Sequence, residues 1–242
     1  TFLIYKREGR WRNISWNEVG ERIKCLAMGL MALGVEKGDR ISPISQTRPE
    51  LAYCCLAIAN SGAIFAPIYH SNNPKECAHI LNDSGAKVAF AENEEQLSKL
   101  SQVWTEVPSL ERIIVFESSN PKTDPRIMSL DQLVELGREE FSKKGDQTYF
   151  DRIDSVKPDD ITAIIYTSGT TGPPKGVMET HGGLIRFIRW FNKVFPMSEK
   201  DRGISYLPMA HLLETLNGHW FHIYIGYPQV YAESLERLFD NI

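Results

Sequence analysis

The chain has 242 residues, 42% hydrophobic and 24% charged, enough to bury a sizeable core as one or two domains. Its net charge of -4, with lysine and arginine scattered among acids, argues against nucleic acid as a partner and gives no global pull toward anionic membranes. Of the cysteines Cys25, Cys54, Cys55 and Cys77, none has C-x-x-C spacing, and three sit in apolar helical patterns; reduced, buried thiols in a cytoplasmic protein are expected rather than structural zinc.

In chain order, TFLIYKREGR lacks the basic start and long apolar run of a signal peptide, and the missing initiator Met suggests a partial chain. Ser15 with Glu18 forms a capping-box pattern, followed by Val19, Ile23, Leu26, Leu30 and Leu33 at helical spacing and Gly34 as the stop. DRISPIS reads as a strand, and RPELAYCCLAIANSG as a helix with Pro49 in its first turn. The stretch from Leu51 to Tyr69 is free of charge, yet Asn60, Ser61, Gly62 and Pro67 interrupt it, so it predicts a buried helix and a short strand instead of a membrane span. Strand AIFAPIY, helix NPKECAHILNDSG, strand AKVAFAE, helix EEQLSKLSQVW and strand LERIIVFES follow; this alternation predicts a parallel α/β sheet. SLDQLVELGREEFSKKG reads as an exposed helix starting at Ser129, and DQTYFDRIDSVKPDD as a returning loop. ITAIIYTS is a buried strand, Leu184, Ile188, Phe191 and Phe195 mark a helix face, GISYLP and PQVYA are strands, HLLETLNGHWFHIYIG reads as a helix, and SLERLFDNI starts another.

Between Tyr166 and Gly176 lies YTSGTTGPPKG, dense in hydroxyls and glycines, with one lysine and no carboxylate. The run leaves a strand and leads to a segment expected to become helix soon after, the place where α/β sheets bind ligands. Glycines let amide groups turn inward as an anion nest, Ser and Thr hydroxyls add donors, and Lys175 adds a point charge. It is neither a Walker A nor a G-x-G-x-x-G sequence: Gly176 follows Lys175 where a hydroxyl residue is needed. A plain polar turn is the alternative, and the acid-free donor density favours a phosphate chain.

YTSGTTGPPKGV resembles the phosphate-loop signature of the adenylate-forming superfamily, which comprises acyl-CoA synthetases, peptide-synthetase adenylation domains and luciferases. ISWNEVGERIKCLAMGLMALGVEKGDRI, LAYCCLAIANSGAIFAPIY and SYLPMAHLLE are similar to further blocks of that family, in order along essentially the whole chain. SLDQLVELGREEF and YAESLERLFDNI resemble bacterial-type long-chain fatty acyl-CoA synthetases. The resemblance implies a layered α/β fold with mainly parallel sheets, residues 1–242 being part of a large N-terminal AMP-binding domain. It implies ATP and Mg2+ with a fatty acid and coenzyme A, the acid being activated to an acyl-adenylate and then to acyl-CoA. Alternatives are adenylation of an aryl, medium-chain or amino acid, or a non-catalytic nucleotide-binding module.

By the same resemblance Thr167 helps to hold Mg2+, Ser168, Gly169, Thr170, Thr171, Gly172 and Lys175 wrap the β- and γ-phosphates, and His211 sits near the reacting carboxylate. The plainer readings are a strand-end threonine bonding its own backbone and a structural histidine. His219 and His222 are expected to form a packed or half-exposed face rather than bind metal, and His181 to cap or pack at a helix start. Trp220, Phe221, Tyr224 and Tyr227 read first as core, with an acyl-tunnel wall as the alternative. A Tyr-Gly-x-Thr-Glu block, ribose-binding aspartate, hinge and lid lysine are not found, so the 242 residues alone are expected to be nearly inert. Cytoplasm is the expected location; fatty acids partition into bilayers, which leaves room for peripheral membrane contact, although no basic amphipathic helix announces it.

Overall fold

The computed structural model describes residues 1–117, 124–167, 172–233 and 237–238. The chain opens with a hairpin, β1 (Leu3–Arg7) and β2 (Arg10–Ile14), turning through Glu8 and Gly9, both at positive φ. Helix α1 (Trp16–Ala32) starts on the expected capping box: Ser15 Oγ accepts from Glu18 N and Glu18 Oε2 accepts from Ser15 N at 2.7 Å. Then come β3 (Arg40–Ile44), α2 (Pro49–Asn60), β4 (Ile64–Phe65), α3 (Pro74–Ser84), β5 (Val88–Ala91), α4 (Glu94–Val103) and β6 (Arg112–Val115). The charge-free stretch is thus a buried helix and a short strand, and no helix among the described residues is long and apolar enough to cross a membrane.

After β7 (Ile127–Ser129), helix α5 runs over Leu130–Asp154 with a kink at Gly145. Here the expectation needs correcting twice. The segment read as a returning loop is helical to Asp154, because Tyr149 buries its ring, its hydroxyl accepts from Asn60 at 2.7 Å, and Arg152 donates to the Ser61 carbonyl at 2.9 Å. Nor is the helix merely exposed: Leu130, Leu133 and Gly137 pack against α1. The crossing needs glycine, since a Cβ on Gly137 would lie 1.7 Å from the Cys25 carbonyl oxygen.

β8 (Ile161–Thr167) and β9 (Lys175–Thr180) form an antiparallel hairpin, followed by α6 (His181–Val194), β10 (Gly203–Ser205), a π-helical stretch Glu214–Phe221, α7 (His222–Ile225) and β11 (Gln229–Tyr231). A larger sheet has the order β7-β6-β5-β3-β4-β8-β9, with every neighbouring pair parallel except β8–β9. A smaller sheet, β10-β11-β1-β2, is parallel apart from the opening hairpin. The chain steps from β3 to β4 on one side and crosses back to β5 on the other, the arrangement that opens a crevice at strand carboxyl ends. Arg48 bridges those ends, its guanidinium meeting Glu50, Glu92 and Glu117 at 2.7, 3.2 and 2.6 Å. Cys54, Cys55 and Cys77 are buried, Cys25 is half-buried, and all four are free thiols.

Candidate functional site

Strand β8 brings Ile165, Tyr166 and Thr167 to its carboxyl end, where a cleft of about 410 Å³ opens. Its walls come from separate parts of the chain: Tyr69 and Asn72 after β4, Glu76 and Ile80 on α3, Pro174 beyond the glycine-rich run, and His211 with Leu212. Thr167 and His211, nominated from segments more than forty residues apart, therefore share one cavity. Gly172 sits at φ 90° with open space where a Cβ would be, so the bend uses glycine for its backbone angle and not for room. Ser168, Gly169, Thr170 and Thr171 lie outside the described residues.

Lys175 is exposed and does not line the cleft. It pairs directly across the hairpin with Thr167, however, so the two side chains leave the same face of the sheet with Cα atoms about 5 Å apart. That places the lysine stem at the rim, within swing of the loop.

The run was expected to lead soon into a helix, and here the structure differs. β9 intervenes, carrying the chain back along β8 for six residues before α6 begins. The first amides of α6 are also engaged, His181 N with Asp160 O, Gly182 N with Pro158 O and Gly183 N with Thr180 Oγ1. Any phosphate grip at the bend must come from the loop itself and its neighbours, without a helix N-terminus from α6.

The His211 segment is held from two sides. Thr47, just past β3, donates to the Leu207 carbonyl and accepts from Met209 N, both at 2.8 Å. Thr215 Oγ1 donates to the Met209 carbonyl at 2.5 Å, and Thr215 N donates to His211 O at 3.0 Å. The Leu213 amide donates to His211 Nδ1 at 3.2 Å, so in the neutral ring Nε2 carries the proton. Beneath, Ser205 Oγ donates to the buried Glu214 carboxyl, whose pKa burial pushes up. Gly218 leaves room for that carboxyl, since a Cβ there would lie 1.9 Å from Glu214 Oε1.

His219 and His222 are fully enclosed, as the packing reading expected, and burial lowers both pKa values, that of His222 to about 4. No group of three or more His, Cys, Asp or Glu able to hold a metal occurs among the described residues. Phe221 and Tyr227 belong to the core with Leu184 and Ile188, whereas Tyr224 is exposed. Trp220 lines a second, larger cavity of about 570 Å³ with Lys157, His181 and Arg189. Thr167, Gly172, Lys175 and His211 do not line that one, and His181 opens α6 at the far end of β9 from the glycine-rich bend.

Sequence reasoning missed the contribution of α3. Tyr166 donates to Asp83 Oδ2 at 2.7 Å, and His79 Nε2 lies 3.0 Å from the Pro174 carbonyl. The signal was present as Glu76, His79 and Asp83 recurring at three and four residues on one helical stripe, beside the core positions Cys77, Ala78 and Leu81.

The family of AMP-binding enzymes matches the chain over residues 1–242. The chain belongs to that family. It is 27% identical over 233 residues to the long-chain-fatty-acid–CoA ligase ACSBG1 of Bos taurus, covering 95% of this chain and 32% of that protein. It is 32% identical over 216 residues to the long-chain-fatty-acid–CoA ligase FadD15 of Mycobacterium bovis, covering 88% of this chain and 34% of that protein. The chain thus spans about a third of the length of these relatives. The crystal structure of the anthranilate CoA ligase AuaEII in complex with anthranoyl-AMP superposes with a TM-score of 0.80 at 22% identity, over 99% of this chain and 43% of that one. This likeness shows the mixed α/β fold with mostly parallel sheets that the element order implied.

Proposed function

We propose that the protein carrying this chain activates a long-chain fatty acid with ATP and transfers the acyl group from the adenylate to coenzyme A. The observation that carries this reading is the convergence of Thr167, Pro174 at the end of the glycine-rich run, and His211 on one cleft at the carboxyl end of β8. The similarity to two long-chain-fatty-acid–CoA ligases supports the choice of acid.

In the first half-reaction the carboxylate oxygen bonds to the α-phosphorus and the bond to pyrophosphate breaks. Two anions must be brought together and the charge on the leaving group met, so the protein's task is positioning and electrostatic stabilisation. Ser168, Thr170 and Thr171 would add hydroxyls to the glycine amides of the run, Lys175 supplies a cation at the rim, and His211 Nε2–H is a donor for the incoming carboxylate. Thr167, an exposed residue at the end of β8, offers a hydroxyl, which fits a magnesium ion that keeps phosphate oxygens and waters as its other ligands. That ion would neutralise phosphate charge. The proposed location is the cytoplasm.

The test is ATP–pyrophosphate exchange by the protein with carboxylic acids of graded chain length. A rise of activity with acyl length, abolished by Lys175→Met, is the expected result. Preference for amino or aromatic acids would overturn the choice of substrate, and unchanged exchange in Lys175→Met would overturn the phosphate role of the bend.

A further inference from the structure

We propose that α3 is the positioning element of the glycine-rich bend, with His79 and Asp83 each clamping one leg of the β8–β9 hairpin. The proposal rests on the reading of that bend as a phosphate-binding loop for its functional consequence, though not for its geometry. A hairpin whose second strand is the open edge of a sheet has little to fix its tip, and β9 buries none of its residues fully. Both legs, however, are tied to the same helix just where they leave the sheet.

On the β8 leg, Tyr166 is nearly buried and its hydroxyl donates to Asp83 Oδ2 at 2.7 Å. On the other leg, the Pro174 carbonyl can only accept, so His79 Nε2 carries a proton and donates to it over 3.0 Å. The two anchors meet, since the His79 and Tyr166 rings stand edge to face with centroids 6.4 Å apart. Gly176, opposite Tyr166 in the ladder, completes the arrangement: a Cβ there would come within 3.3 Å of the Tyr166 ring and 2.7 Å of the Ile164 methyl.

The helix is itself well fixed. Asn73 and Glu76 form a capping box with Pro74 in the first turn, and Gly85 closes the other end in the left-handed conformation. His79 and Asp83 are one turn apart, and Glu76 and Ile80 of the same helix line the cleft. Cleft wall and loop anchor are therefore one rigid piece, and the two legs of the bend are held by two side chains that do not line the cleft.

The test uses His79→Leu, His79→Gln and Tyr166→Phe. Gln places an amide donor near the position of Nε2, whereas Leu keeps bulk without a donor. Two measurements are made on each: the rate of trypsin cleavage after Lys175 in the native protein, and KM for ATP against KM for the carboxylic acid in pyrophosphate exchange. His79→Leu and Tyr166→Phe are each expected to raise cleavage after Lys175 several-fold and KM for ATP about tenfold, with KM for the acid unchanged. His79→Gln is expected to return both toward wild type. Wild-type cleavage and KM for ATP in His79→Leu and Tyr166→Phe would overturn the proposal. Faster cleavage with an unaltered KM for ATP would uphold the clamp and overturn the phosphate reading on which its consequence rests. Should His79→Leu fail to fold, Tyr166→Phe alone decides, since it removes one oxygen and keeps the ring.

Discussion

Two glycines, both inside helices, should respond to the same substitution with opposite sign. Gly137 of α5 faces α1 so closely that an added Cβ would lie 1.7 Å from the Cys25 carbonyl oxygen and 2.7 Å from Gly29 N. A carbon–oxygen contact at a helix crossing settles near 3.3 Å, so the helices would have to part by roughly 1.6 Å. Those two neighbours cannot yield, because both are backbone atoms in the middle of a regular helix. A gap of even 0.5–1 Å forfeits about a quarter to a half of each dispersion contact, and Leu133, which lies against Gly29, is fully buried in that seam. Against this, alanine gains about 1 kcal/mol over glycine in helix propensity. The net expectation for Gly137→Ala is a loss of about 2–3 kcal/mol, and a melting temperature lower by about 5–10 °C. Gly20 of α1 is the internal control, exposed and with nothing within 4 Å of its added Cβ. Gly20→Ala should gain about 0.5–1 kcal/mol from propensity alone. Thermal unfolding by circular dichroism and urea midpoints of the two variants side by side make the measurement. A Gly137→Ala protein as stable as wild type would refute the close crossing and with it the placement of α5 against α1.

The buried histidines make stability fall with acid. An unfolded imidazole titrates near 6.5 whereas His222 is held at about 4 by burial. Between these values the unfolded chain takes up a proton that the folded one refuses, so the contribution is complete above about pH 6.5 and drains as the pH falls toward 4; by pH 5 about 2 kcal/mol is gone. Urea midpoints at pH 7 and pH 5 should converge in His222→Phe, and parallel slopes in variant and wild type would sink the assignment. Thr47→Val orphans the Met209 amide and the Leu207 carbonyl together, which should cost about 1–3 kcal/mol. Because it loosens the turn before His211, KM for the carboxylic acid should rise more than KM for ATP; an equal rise in both would point to general unfolding.

Much of the architecture was legible wherever a buried face met a punctuating residue. Ser15 with Glu18, Pro49, Asn73–Pro74 with Gly85, and Ser129 each mark a helix boundary that the backbone adopts, since their side chains or angles satisfy end groups locally. The central strands β3, β5 and β6 are short apolar runs because both sheet faces are covered. What escaped notice lies where the side chains carry no periodic burial. All but the last residue of β2 are exposed, and β9 has only exposed and half-buried positions, so neither has a buried apolar face to betray it. The second half of α5 is similar: Tyr149 and Arg152 hold it by hydrogen bonds to α2 residues and their flank, partners separated by about ninety positions in sequence.

The site shows the same division between local and distant information. Its chemistry could be read from YTSGTTGPPKG because donors without acids, packed in one window, need no partner to be recognised. Its geometry could not, because the residues that fix it are polar groups bonded across the chain: Thr47 to Leu207 and Met209, Asp83 to Tyr166, His79 to Pro174. None of these has a fixed offset from the group it holds, and each by itself is an unremarkable surface-type residue. The segment expected to become helix soon after the bend is first the strand β9, so the N-terminal amides of α6 lie at the other end of the hairpin. With no helix N-terminus at the bend, the cation beside it among the described residues is Lys175 on the rim, and what remains is the orientation of amides and hydroxyls. Orientation depends on how firmly the two legs are held, so the grip on an anion is governed as much by a helix outside the motif as by the motif itself.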